Sequence, residues 1–191
     1  MFRKYIRPAL LSFLVLTIIT GIIYPLFITV IAQKLLPNQA NGSLIYRNGK
    51  VIGSSLVGQS FEDPKYLWGR ISATSPQYNA SNSSGSNIGP SNPALIDEIN
   101  VRIKALKKSD PNNKNLIPVD LVTSSASGLD PDISLAAAYY QAKRIASVRG
   151  IPENAVRDTI SRNAKMRLFG IIGEDTVNVL AVNLDLDSYK K

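Results

Sequence analysis

Polar and apolar residues do not alternate at the start of this chain. From Pro8 to Gln33 there is no charged residue, and apolar side chains fall on every side of a helix drawn through the segment. Ala9 to Ala32 as a helix would be about 36 Å long at about 1.5 Å per residue. That length crosses a hydrocarbon core of about 30 Å with some tilt. Ser12, Thr17, Thr20 and Thr29 are polar interruptions that can bond back to carbonyls or to a neighbouring helix, and Pro25 removes one backbone donor. Two other readings compete with a membrane anchor. A cleaved signal shares the basic start, and Val30-Ile31-Ala32 resembles a cleavage site, but a signal's apolar region runs only about 7–15 residues. A buried core helix would rarely stay uncharged for so long.

Beyond Lys34 the pattern changes to short segments. Ser43 to Val57 reads as two strands around Asn48-Gly49, a dipeptide that accepts positive φ at both centres of a type I′ turn. Residues 58–92 are rich in Gly, Ser, Asn and Pro, yet they carry Phe61, Tyr66, Leu67, Trp68 and Tyr78, so the stretch reads as a structured loop and not a linker. Ser91 or Asn92 can cap a helix with Pro93 in its first turn, and Leu95, Ile99, Ile103 and Leu106 follow at helical spacing. Pro118 to Thr123 reads as a short strand. A second helix is expected from Ser134 to Val148, closed by Gly150, and a third from Glu153 to Ala164. Val177 to Leu184 is β-prone and reads as a final strand. The fold class is therefore α+β: one N-terminal transmembrane helix, then a single domain.

Charge adds orientation. Arg3, Lys4 and Arg7 crowd the short N-terminal side of the apolar segment, so the positive-inside bias keeps residues 1–8 in the cytoplasm, has 9–32 span the cell membrane, and exports 33–191. The net charge of +8 divides into +4 before residue 35 and +4 over the rest, with no dense basic tract, so nucleic-acid binding is not supported. The chain has no cysteine and no histidine. Disulfides, Cys/His zinc sites and His-based nucleophile pairs are excluded. There is no Gly-x-x-x-x-Gly-Lys-[Ser/Thr]. The pairs Asp130/Asp132 and Asp185/Asp187 read as surface or capping carboxylates.

A series of motifs then carries a resemblance. Gly21-Ile-Ile-Tyr-Pro-Leu26, Gln39-Ala-Asn-Gly-Ser-Leu44, Leu56-Val-Gly-Gln-Ser-Phe61, Trp68-Gly-Arg-Ile-Ser-Ala-Thr74 and Tyr78-Asn79 come in order. Gly85-Ser-Asn-Ile-Gly-Pro-Ser-Asn-Pro93, Pro118-Val-Asp-Leu-Val-Thr123, Ser127-Gly-Leu-Asp-Pro131, Val177-Asn-Val-Leu and Asn183-Leu-Asp-Leu-Asp187 complete the series. Over nearly its whole length the chain resembles the C subunit (KdpC) family of the Kdp potassium-transporting P-type ATPase. It departs from the family's usual pattern at Ser84, where Gly is common, and at Ile71, where many members have Pro.

The resemblance implies a non-catalytic subunit of an ATP-driven potassium importer, assembled in membrane lipid with a channel-like subunit and a P-type ATPase subunit. No cofactor is expected on this chain itself; ATP and potassium belong to the complex. The family is also described as a catalytic chaperone that raises the ATPase subunit's affinity for ATP, and Gln59 is the residue that description would use. An exported domain cannot meet cytoplasmic ATP, so a cap over the channel subunit's entrance is the simpler role. The loops 69–92 and 123–131 would then face the partner, with Arg70, Ser72, Thr74, Asn79, Ser86, Asn87, Ser127 and Asp130 as contact candidates. In the membrane, Thr17 and Gly21 offer a small surface for helix packing. A membrane-anchored extracytoplasmic enzyme or binding domain unrelated to transport is the alternative.

Overall fold

A computed structural model describes residues 2–189. The chain divides into two compact units that meet between Ile52 and Gly53.

The first unit begins with α1 (Phe2–Ile18), a single π turn (Ile19–Ile23) and α2 (Tyr24–Leu35), which together make one long helix. Arg3–Leu35 is long and apolar enough to cross a membrane, and none of its most apolar window is buried within the protein. That exposure removes the core-helix reading. The π turn is where the N–H of Tyr24 reaches back to the carbonyl of Ile19, one residue further than in an α-helix. Thr20 and Thr29 donate to the carbonyls of Leu16 and Pro25, so neither hydroxyl is left bare on an apolar surface. A short helix, α3 (Pro37–Ala40), follows, and then β1 (Leu44–Arg47) and β2 (Lys50–Ser54) pair around Asn48-Gly49 as expected, both at positive φ.

In the second unit the core is built on three helices: α5 (Leu135–Arg149), α6 (Glu153–Arg162) and α7 (Val179–Ser188). Ala137, Ala138, Ala142 and Ala146 line the inner side of α5, and their small side chains let Val156 and Ile160 of α6 come close. Val182 and Leu186 of α7 and the buried Leu67, Trp68, Leu106 and Leu121 complete the cluster. A small antiparallel sheet borders it, ordered β3 (Asp132–Ser134), β5 (Thr176–Asn178), β4 (Ala164–Lys165), with Ile133 opposite Val177. The fourth long helix of this unit, α4 (Pro93–Ser109), is capped by Asn92, whose side chain accepts from the N–H of Ala94.

Two sequence expectations are corrected. Pro118 to Thr123 is a 3-10 turn over Val119–Leu121, because its buried residue, Leu121, is reached by a tight turn and not by a ladder. Val177 to Leu184 is not one strand. The strand ends at Asn178, whose side chain accepts from the N–H of Ala181 and starts α7. The same device ends β3, where Ser134 caps α5 by accepting from Ala137. Each helix is also tied across the sheet: Leu135 N–H donates to Asp175, and Val179 N–H to Pro131.

Candidate functional site

The loop of residues 58–92 is held in place by buried amides and guanidinium groups. Asn183 in α7 accepts from the N–H of Leu67 and donates to its carbonyl, and Gln141 in α5 does the same for Trp68. Arg144 donates to the carbonyls of Pro64 and Tyr66 and to Gln141, with its guanidinium 4.4 Å from the Trp68 ring centre. Burial lowers the pKa of this arginine to about 10. Arg102 reaches out of α4 to the carbonyls of Leu121 and Gly69, and burial pushes its pKa down too. Arg149 ties the carbonyls of Lys65 and Leu186 and pairs with Asp187, which also accepts from the Tyr66 hydroxyl.

On that base the loop 69–92 interlocks with 123–131. Arg70 pairs with Asp130 at 3.2 Å and donates to the carbonyl of Ser124, while Asp130 also accepts from the N–H of Asp132. Ser72 is buried; it donates to the carbonyl of Gly128 and accepts from the N–H of Tyr78. Thr74, also buried, donates to Pro76 and accepts from the N–H of Asn79. The Ser86 and Ser124 hydroxyls meet at 3.1 Å. The carbonyl of Ser127 accepts from Ser84 N–H and from the Ser83 hydroxyl, and its own hydroxyl accepts from Leu129 N–H. Tyr78, at a φ of +58°, donates its hydroxyl to the carbonyl of Arg70 at 2.6 Å; burial raises its pKa. Gly128, at a φ of +69°, lies where a Cβ would stand 2.6 Å from the Ser84 carbonyl. The chain can close here only without a side chain.

The sequence-derived candidates therefore fall into groups. Arg70, Ser72, Thr74, Asn79, Ser86, Ser127 and Asp130 come together as one hydrogen-bonded loop layer. Asn87 is exposed at a φ of +52° and stands outside that bonding. Gln59 is half-buried, and its amide occupies the space a Cβ on Gly53 would take. Thr17 lies in α1, and Gly21 in the π turn, with nothing within 4 Å of where its Cβ would be. The four central polar residues Gln141, Arg144, Asn183 and Arg102 were not predicted. Asn183 opens the last of the quoted sequence motifs; for the others the signal is a polar residue on a helix, as at Gln141 among the alanines of α5.

Beside the loop layer is a cleft of about 600 Å³ between residues 60–62, 69–71 and 77–78 and one side of α4. Phe61, Tyr78 and Val101 give it apolar walls, and Glu62, Asp97 and Glu98 give it carboxylates; of the candidates only Arg70 lines it. Chemically, the hydroxyls of the layer are engaged with backbone or with one another, and among the described residues no group of His, Cys, Asp or Glu could hold a metal ion. Asp132 pairs with Lys165, and Asp185 accepts from Asn163, so the acidic pairs are occupied structurally. This arrangement can present a rigid surface; it does not activate a nucleophile.

Comparison with known proteins agrees. A family model described as KdpC: K+-transporting ATPase, c chain, matches residues 6–188. The chain is 56% identical over 187 residues to the potassium-transporting ATPase KdpC subunit of Variovorax paradoxus, covering 97% of both chains. It is 55% identical to that of Dechloromonas aromatica over 99% of this chain and 100% of the relative. The Herpetosiphon aurantiacus protein of the same name is 53% identical, with 98% of each covered.

Proposed function

Because this chain belongs to the KdpC family, the c chain of the K+-transporting ATPase, we propose that its second unit is exported and caps the extracytoplasmic entrance of the complex's channel-like subunit. Membership makes it a non-catalytic, membrane-associated accessory subunit that partners other Kdp subunits, and it sets aside an unrelated anchored enzyme. The observation that carries the cap is the loop layer itself. Buried Ser72 ties one loop to the other, buried Thr74 braces the first from within, and Ser127 and Asn87 are exposed on these two loops. A pre-ordered polar surface binds without the ordering cost a flexible loop would incur. Arg3, Lys4 and Arg7 support the orientation. Gln59 packs against Gly53, outside the cleft.

Labelling tests the orientation. The chain has no cysteine, so Leu116→Cys places one thiol on a side chain that is 94% exposed. A membrane-impermeant maleimide should label it in intact cells, whereas Lys4→Cys should be labelled only after permeabilisation. The reverse pattern would put the domain in the cytoplasm and contradict the cap.

A further inference from the structure

The connection from β4 to β5 leaves five large apolar side chains in solvent within seven residues. Met166 is 69% exposed, Leu168 59%, Phe169 85%, Ile171 83% and Ile172 62%. A soluble surface rarely gathers so many without a use for them. The connection is nonetheless ordered. Leu168 and Ile172 exchange N–H···O bonds at 2.9 and 3.0 Å, and the N–H groups of Gly170 and Ile171 donate to Arg167 and Leu168. Phe169 is held at a φ of +55°, a strained conformation for a side chain that touches so little of its own domain.

We propose that this hairpin is a second membrane contact, its tip entering the interfacial layer of the bilayer for which the Arg3–Leu35 helix is built. Three features fit lipid and not a protein groove. First, Leu168, Gly170, Ile171 and Ile172 all satisfy their N–H groups inside the hairpin, as a weakly polar medium requires. Second, the charges at its base are already neutralised. Lys165 pairs with Asp132, Arg167 with Glu174 and Asp175, and residues 164–175 hold two basic and two acidic residues, a net charge of zero. Third, the tip is an exposed run of Leu, Phe and Ile, with Arg167 held in ion pairs at its base. It has the composition of an interfacial anchor.

A nitroxide on Ile171→Cys in the full-length chain, reconstituted in vesicles of phosphatidylethanolamine and phosphatidylglycerol at 3:1, tests this directly. Leu116→Cys is the aqueous reference. Collision with a water-soluble nickel chelate should fall several-fold at 171 relative to 116, while collision with oxygen rises. Equal nickel accessibility at the two sites overturns the proposal. So does shielding that appears only when the other subunits of the complex are added, which would assign the hairpin to a protein interface.

Discussion

Gly58 sits where two loops and an aromatic ring converge. Its N–H donates to Leu129, and a Cβ there would stand 2.5 Å from the Tyr78 ring and 2.6 Å from the carbonyl of Asp130. Gly58→Ala should therefore cost about 1–3 kcal/mol, as overpacking of a close contact does. Gly89→Ala, with nothing within 4 Å, should cost less than about 0.5 kcal/mol. Urea unfolding of the two purified variants checks this, and equal midpoints would mean the loop layer yields easily. Arg144 is the opposite kind of residue, a buried cation that satisfies itself on carbonyls and Gln141. Its folded pKa, about 10, lies below the ordinary arginine value, so the unfolded chain binds the proton more tightly. The buried charge therefore opposes folding at neutral pH, and that opposition recedes as pH rises above about 10. Between pH 10 and 12 the wild type should lose stability less steeply than Arg144→Met, measured by denaturant unfolding; parallel slopes would show that the arginine is not desolvated. Nothing in the sequence singles out Arg144, because a cation in an alanine-rich helix reads as solvated unless its carbonyl partners, some eighty residues earlier, are known.

At the scale of elements, Asn178 is the hinge of the sheet. Besides capping α7 it donates its amide to the carbonyl of Ser55 and to Asp132. Loss of the cap and of these bonds in Asn178→Ala should cost about 1–3 kcal/mol. Asn178→Asp keeps the capping oxygen but sets a second carboxylate about 3.0 Å from Asp132. It should be at least as destabilised near neutral pH, with the gap to Asn178→Ala narrowing as pH falls through the carboxylate range. Thermal scans at two pH values read this; an aspartate variant as stable as wild type at neutral pH would contradict the hydrogen-bond assignment. The same residue explains a misreading. Val177, Val179 and the residues after them are β-prone, but Val179, Val182 and Leu186 are also spaced as one helix face, and eight residues cannot separate the two periods. The helices α4, α5 and α6 were legible because each carries its own punctuation: Asn92 with Pro93, Ser134 with Gly150, and Pro152. Strands β3 and β4, at three and two residues, leave no period to read.

For the whole molecule, the sequence motifs pointed to the loops that carry the candidate site, but not to what each residue does there. Ser72 and Thr74 look like surface groups in a polar stretch, and their burial depends on a second loop about fifty residues away. In the membrane helix, Gly21 offers an open notch beside Thr17. If that notch packs against another subunit's helix, Gly21→Leu should lower recovery of the complex on gentle purification while Ile18→Leu should not. Equal recovery would leave assembly to the second unit alone. The central claim is that this accessory subunit meets the channel-like subunit from outside the cell. It is tested most directly by a photo-crosslinking residue at Asn87, exposed in the 69–92 loop, in the assembled complex within intact cells. The account predicts a crosslink to the channel-like subunit. A crosslink to the nucleotide-binding portion of the ATPase subunit instead would contradict it.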